Sequence, residues 1–319
     1  MLKFERILCP VDFSEFSAKA CEYAHSLAKH YQSKLFLEHV VQPLTAAYPY
    51  YTFPMPSSDS YQNLDVEAEK HLREFAKAHS RNDMQHQLVI QKGLLPEAIL
   101  AFANQNEVDL IVMGTHGRQG LDRLTLGSVT EKVLRKARCP VLAVRKPAHD
   151  FIAGEGATDP VQLRKIVFCT DFSDHAHHAL GYAFSLAMEY NAELTLLHVL
   201  DDVGTPPFLQ EGTAIALAEL EKPIPPDVRN WCSVKTVVRV GHPYQEIIQL
   251  AHTAQSDLVI MGVRGRGSLD LALFGSTTQR VLQLGPCPVL AVHEPAAPRE
   301  NASEPVRRER SPHWIPRPA

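Results

Sequence analysis

One 38-residue stretch of this chain occurs twice. Residues 108–145 and 256–293 align without a gap, and nineteen of the 38 positions are identical. Each copy starts with an acid and an apolar run, Asp109-Leu110-Ile111-Val112-Met113 and Asp257-Leu258-Val259-Ile260-Met261. Glycines at fixed spacing follow: Gly114, Gly117 and Gly127 before Ser128, then Gly262, Gly265 and Gly275 before Ser276. Both copies close on Cys-Pro-Val-Leu-Ala-Val, at 139–144 and 287–292. A repeat this dense marks a duplicated domain. What the copies share best is glycine spacing, which packing alone rarely demands.

A chain of 319 residues accommodates two such domains, each with its own core. The rest of each copy alternates strand and helix. In the first, apolar runs at 7–11, 35–41, 86–91, 110–113 and 141–144 predict strands. Helices are expected at 14–31 with Ser14 as cap, at 64–79, at 96–104 and at 128–137, with a loop over 43–61. This order predicts an α/β fold: two tandem doubly wound, Rossmann-like domains, each a five-stranded parallel sheet of order 3-2-1-4-5. The second copy restarts at Lys165. Asp171 matches Asp12, and Gly262 matches Gly114, so the second copy is 11 residues shorter between them. The loss is expected in the loop and second helix, where prolines crowd a poorly periodic stretch. The division is therefore 1–147, a linker over 148–163, 164–294, and a Pro- and Arg-rich tail over 295–319 with the composition of disorder.

In a doubly wound sheet, ligands bind beyond the carboxyl ends of the strands, where the strand order reverses. That point lies between the first and fourth strands, so Asp12 and Gly114 flank one crevice, as Asp171 and Gly262 flank another. The glycines let backbone N–H groups approach a ligand, and Gly127-Ser128 opens a helix whose free amides and dipole attract anions. Asp12 suits a ribose hydroxyl or a base amino group. No GxxxxGK[ST] is present and no GxGxxG follows the first strand, so neither a P-loop nor a dinucleotide fingerprint is supported. Arg118 and Arg266 follow the second glycine of each copy. They either reach phosphate oxygens or are solvated on the loop, and the sequence leaves both open.

These residues carry a family resemblance. Both halves, over about 3–146 and 164–294, resemble universal stress protein domains, and the chain resembles the tandem form of that family. The subset with this glycine–serine motif binds ATP. The resemblance implies adenine contacts at Val11 and Val40, ribose at Asp12, and phosphates at Met113, Gly114, Gly117, Gly127, Ser128 and Val129. The matching second-half positions are Thr170, Val199, Asp171, Met261, Gly262, Gly265, Gly275, Ser276 and Thr277. Cys169-Thr170 replaces Pro10-Val11 and Arg264 replaces His116, so the second nucleoside end departs from the first, which is expected to bind more tightly.

Composition narrows the partners. A formal charge of −4 and a pI near 6.5 give no footprint for nucleic acid or an anionic membrane. Charges at Lys3, Glu5 and Arg6 break any leader-like run, no apolar run nears the roughly 20 residues of a membrane span, and six cysteines show no CxxC pair. The expectation is a soluble cytoplasmic protein with reduced core thiols. His39 and His198 read as hydrogen-bonded strand histidines, and His175, His177 and His178 as a helix start without the ligands of a metal site.

Two function classes remain. The leading one is a regulatory protein in which ATP occupancy tunes conformation or the binding of a protein partner, in stress or growth arrest. The alternative is a slow ATP hydrolase or phosphotransferase in the same crevice. Phosphoryl transfer needs metal ligands and a group that positions the nucleophile. Asp122 and Asp270, in the glycine loops, are the candidates for a Mg²⁺ contact, and no catalytic residue is assigned. Finally, residues 141–145 and 289–293 form apolar strands at the sheet edges, which invite pairing. They are expected to pair within the chain about a pseudo-two-fold axis, mimicking the dimer of single-domain relatives and leaving both crevices open. A homodimer of the whole chain is compatible with this.

Overall fold

The computed structural model describes residues 2–42, 58–79, 85–116, 126–145, 147, 150–152, 160–201, 206–263 and 275–293. The first domain runs β1 (Arg6–Pro10), α1 (Glu15–Tyr31), β2 (Lys34–Val41), α2 (Ser58–His79), β3 (His86–Lys92), α3 (Glu97–Gln105), β4 (Leu110–Gly114), α4 (Ser128–Lys136) and β5 (Val141–Val144). The second repeats the order as β6 (Lys165–Cys169), α5 (Asp174–Tyr190), β7 (Glu193–Leu200), α6 (Pro206–Glu221), β8 (Val234–Val240), α7 (Pro243–Thr253), β9 (Leu258–Gly262), α8 (Ser276–Leu284) and β10 (Val289–Val292).

Local chemistry sets the ends of the helices. Ser14 Oγ accepts from the Ser17 amide at 3.2 Å, and Ser173 Oγ accepts from the Ala176 amide at 3.3 Å, so each copy caps its first helix alike. Both helices end on a left-handed amide residue, Gln32 at φ 55° and Asn191 at φ 49°. Along α1 the stripe Ala20, Tyr23, Ala24, Leu27, Ala28 and Tyr31 is buried against the sheet. Two departures from the sequence expectation share one cause. Helix α2 starts at Ser58, six residues before its apolar repeat begins, and α6 forms over 206–221 although its sequence is poorly periodic. A polar first turn, or a helix whose apolar residues are spread around its axis, leaves periodicity nothing to detect. The 22 residues of α2 against 16 of α6 put part of the shortening in the expected place.

The strands have the order β3-β2-β1-β4-β5 in one domain and β8-β7-β6-β9-β10 in the other, which is 3-2-1-4-5 twice. The two sheets are one. Strand β5 pairs antiparallel with β10, with Ala143 opposite Val289, Leu142 opposite Leu290 and Val141 opposite Ala291. Leu142 and Leu290 are matching residues, so the pseudo-two-fold axis passes between them. The ten-stranded sheet is covered on both faces, and each apolar layer runs continuously from one domain into the other.

The seam is also bridged above the sheet. His30 Nε2 lies 2.9 Å from Glu189 Oε1, Tyr31 donates to Glu189 Oε2 at 3.2 Å, and Tyr190 donates to the Tyr31 oxygen at 3.3 Å. His30 and Glu189 occupy equivalent positions of the two copies. A symmetric dimer would set each against itself, whereas the duplicated chain has made them complementary. The ends of the linker belong to the core. Phe151 is buried against Tyr23, and Asp150 accepts from Lys19 at 2.7 Å and Tyr23 at 2.9 Å. Residues 153–159 and the tail from 294 lie outside the described residues.

Candidate functional site

The first crevice is built by three ends: the loop after β1, the end of β2, and the start of α4. After β1, Phe13 adopts φ 63°, a left-handed conformation that costs a non-glycine residue energy. The turn sets Asp12 Oδ1 to accept from both the Ser14 amide at 3.0 Å and its hydroxyl at 2.6 Å, which fixes the carboxylate at the mouth. The second copy reproduces the arrangement, with Phe172 at φ 61° and Asp171 bound to Ser173 at 3.1 and 2.6 Å. Each phenylalanine stacks on a strand histidine, Phe13 on His39 at 4.5 Å and Phe172 on His198 at 4.4 Å. Those histidines donate from Nδ1 to the carbonyls of Val11 and Thr170, at 2.7 and 2.8 Å. The sequence hints at their hydrogen bonding but not at the strained phenylalanine each supports.

The start of α4 is pinned to the end of β4. Thr130 Oγ1 donates to the Gly114 carbonyl at 2.8 Å, and the Gly127 amide donates to Thr115 O at 2.8 Å. Thr278 and Gly275 repeat both contacts, to Gly262 and Val263. The amides of Ser128 and Val129, the first two residues of α4, have no partner within their own helix, a consequence of helix geometry. Both residues line the crevice, where a helix start suits an anion.

Glycine has two separate causes here. A Cβ on Gly114 would lie 2.8 Å from Phe16 Cβ and 2.9 Å from its backbone, so the close approach of α1 accounts for this glycine without any ligand. At Gly262 the same helix turn, His175 and Ala176, stands 3.1–3.2 Å away. A Cβ on Gly127 would meet Thr115 O at 3.2 Å, and one on Gly275 would meet Val263 O at 3.4 Å. The second pair is less crowded by protein and borders the helix start.

Between these ends lies a cavity of about 750 Å³. Pro10, Val11 and Asp12 form one wall, Val40 and Val41 another, and Met113, Gly114, Gly127, Ser128 and Val129 the far end, with Leu95, Ile99 and Leu126 adding apolar cover. The structure thus brings together Val11, Asp12, Val40, Met113, Gly114, Gly127, Ser128 and Val129. Gly117, Arg118, Gly265, Arg266, Asp122 and Asp270 lie outside the described residues. In the second domain Thr170, Asp171, Val199, Met261, Gly262, Gly275, Ser276 and Thr277 hold equivalent places, although the Thr170 hydroxyl is already used, accepting from the Phe172 amide at 2.9 Å.

The reading of the sequence missed Glu38. It lines the cavity, is fully buried, and neither carboxyl oxygen has a hydrogen-bond partner. Burial pushes its pKa up to about 8. The available signal was a lone acid within the apolar run of β2, at a position where the second copy has Leu197. The repeated thiols of the two copies are inert, because burial pushes Cys139 and Cys287 up to about 12. Among the described residues no group of three or more His, Cys, Asp or Glu could hold a metal ion, and no helix is long and apolar enough to cross a membrane.

Fold and site together define a class: a tandem pair of doubly wound domains, each with an anion-type helix start facing an acid across the switch point. The universal stress protein family model matches residues 3–145 and again 162–293, and the chain belongs to that family. It is 28% identical over 297 residues to a universal stress protein of Mycolicibacterium smegmatis, covering 90% of this chain and 96% of the relative. A universal stress protein of Methanocaldococcus jannaschii is 32% identical over 149 residues, or 46% of this chain and 85% of the relative. The crystal structure of a universal stress protein from Archaeoglobus fulgidus superposes with a TM-score of 0.66 at 23% identity, covering 92% of this chain and 99% of that one. The two-domain architecture is therefore shared along nearly the whole chain.

Proposed function

We propose that this chain is an ATP-binding stress-response regulator, in which nucleotide occupancy of the first crevice tunes conformation or the binding of a protein partner. The observation that carries the reading is the cavity itself, which runs from a fixed carboxylate at Asp12 to the open amides at the start of α4. Val11 and Val40 would enclose the adenine, Asp12 the ribose, and Gly127, Ser128 and Val129 the phosphates. A bound triphosphate would bring its own charge, and Mg²⁺ with it; the protein's part is to bind and orient. Two carboxylates are in the described lining, Asp12 and Glu38. Asp12 is committed to Ser14 and Glu38 is buried, so neither is a ready base for an attacking water.

Nucleotide released from denatured purified protein, separated and identified, tests the reading. Adenine nucleotide near one equivalent per occupied site is expected, and full-length protein that neither carries nor binds ATP would overturn it. Single-turnover assays with labelled ATP address the hydrolase alternative. Stoichiometric ATP recovered unchanged after long incubation is the expected result.

A further inference from the structure

The cavity has an inner end that the nucleotide reading leaves unexplained. Glu38 lies on the face of β2 that carries Phe36 and Val40, both in the apolar layer under α3 and α4. Its neighbours across the sheet are Pro10 on β1 and Val89 on β3. A carboxyl among such groups, with both oxygens unpaired, is costly unless a ligand satisfies it. Its backbone is used otherwise, the carbonyl accepting from the Val11 amide at 2.7 Å, which ties Glu38 to the expected adenine wall.

We propose that Glu38 selects the base in the first crevice, its carboxyl hydrogen-bonding the amino-pyrimidine edge of an adenine seated between Val11 and Val40. The inference rests on the nucleotide reading above and deepens it. A neutral carboxyl presents one donor and one acceptor side by side. The adenine edge is complementary: its exocyclic amine donates to the carbonyl oxygen and the adjacent ring nitrogen accepts from the hydroxyl. Guanine presents two adjacent donors, N1–H and its amine, that match an ionised carboxylate; a neutral carboxyl meets only its O6 and N1–H, with the 2-amine added beside the apolar wall. Because burial holds Glu38 protonated up to about pH 8, the site is set for adenine at neutral pH. The second copy, with Leu197 there, lacks this reader.

Several titratable groups on the surrounding elements have partners of their own. Asp12 is bound to Ser14, and His39 points to the opposite face with Nδ1 on Val11 O. Lys92 pairs with Asp65 at 2.6 Å, and Glu97 on α3 lies 3.8 Å from Lys136 on α4. His116, after β4, has Nδ1 2.9 Å from the Thr115 hydroxyl.

The test is calorimetric titration of the full-length chain with ATP and with GTP at pH 7.5, 8.5 and 9.5, for wild type, Glu38→Gln and Glu38→Leu. The leucine is the residue the second copy uses. Glutamine keeps a donor and an acceptor without titrating. Wild type should prefer ATP and lose affinity as Glu38 ionises, by about tenfold or more between pH 7.5 and 9.5. Glu38→Gln should bind ATP within a few-fold of wild type with a flat pH profile, and Glu38→Leu should lose about tenfold and most of the preference over GTP. Wild type that binds ATP and GTP equally, or Glu38→Leu that keeps the wild-type affinity and pH profile, overturns the role of Glu38 and leaves the nucleotide reading standing. Wild type that binds neither nucleotide overturns both.

Discussion

Single residues in this protein answer to different constraints even when the sequence pattern treats them alike. Gly114 and Gly127 belong to one motif, yet the first is crowded by the backbone of α1 and the second borders the crevice. Gly114→Ala should therefore cost about 1–3 kcal/mol of stability by overpacking, seen as an earlier midpoint in urea denaturation. Gly127→Val should fold and raise the Kd for ATP at least about tenfold, or ~1.4 kcal/mol. A Gly127→Val protein that folds and binds normally would remove the helix start from the site. Glu38 makes a separate prediction about stability. Its folded pKa of about 8 lies above the ordinary 4.5, so between those values the folded chain holds a proton that the unfolded chain has released. Stability from this group is thus present below about pH 4.5 and is lost as pH rises towards 8. Glu38→Leu should be more stable than wild type at pH 8 by an amount on the order of a few kcal/mol, and the gap should narrow towards pH 5 in pH-resolved denaturation. A gap that stays constant with pH would mean the carboxyl is not held neutral.

At the scale of elements, the first helix of each domain does two jobs from one residue. Ser14 caps α1 with its hydroxyl oxygen, and the same hydroxyl donates to Asp12. Ser14→Ala should lose about 1 kcal/mol as a lost cap, measured by thermal or chemical denaturation. It should also weaken ATP binding, because Asp12 loses the partner that aims it. Lost stability with unchanged affinity would limit Ser14 to the helix. Most elements were legible in the sequence because their apolar periods are clean: β4 and β9 read as continuous apolar runs and are buried along their whole length. What was not legible lacked a stripe. The first turn of α2 is polar, and α6 carries prolines at its start, so neither boundary leaves a periodic trace. The candidate site was legible where duplication repeats it, at Asp12, Gly114, Gly127 and Ser128. It was not legible at Glu38, which the second copy replaces with Leu197, so comparing the copies with each other passes it over.

For the whole molecule, duplication turned a between-chain problem into a within-chain one. Residues 141–144 and 289–292 are buried where an open sheet would expose its edge, and the antiparallel pairing leaves β3 and β8 as the outer strands. In native-state hydrogen exchange, the paired amides of β5 and β10 should exchange as slowly as those of the central strands β1 and β6. Exchange as fast as in β3 and β8 would mean that the seam opens on its own. The sequence by itself determined the number of domains, the alternation of strand and helix within each, the apolar runs of β5 and β10 and an acid and a glycine–serine helix start in each copy, because repeats, periods and glycine spacing are local or are copied along the chain. Tertiary structure alone decided the rest. It set the register that places Leu142 against Leu290, the His30–Glu189 contact, the packing reason for Gly114 and the isolation of Glu38. Each of these depends on what lies across a gap in space from residues distant in sequence, and neither composition nor periodicity records that distance.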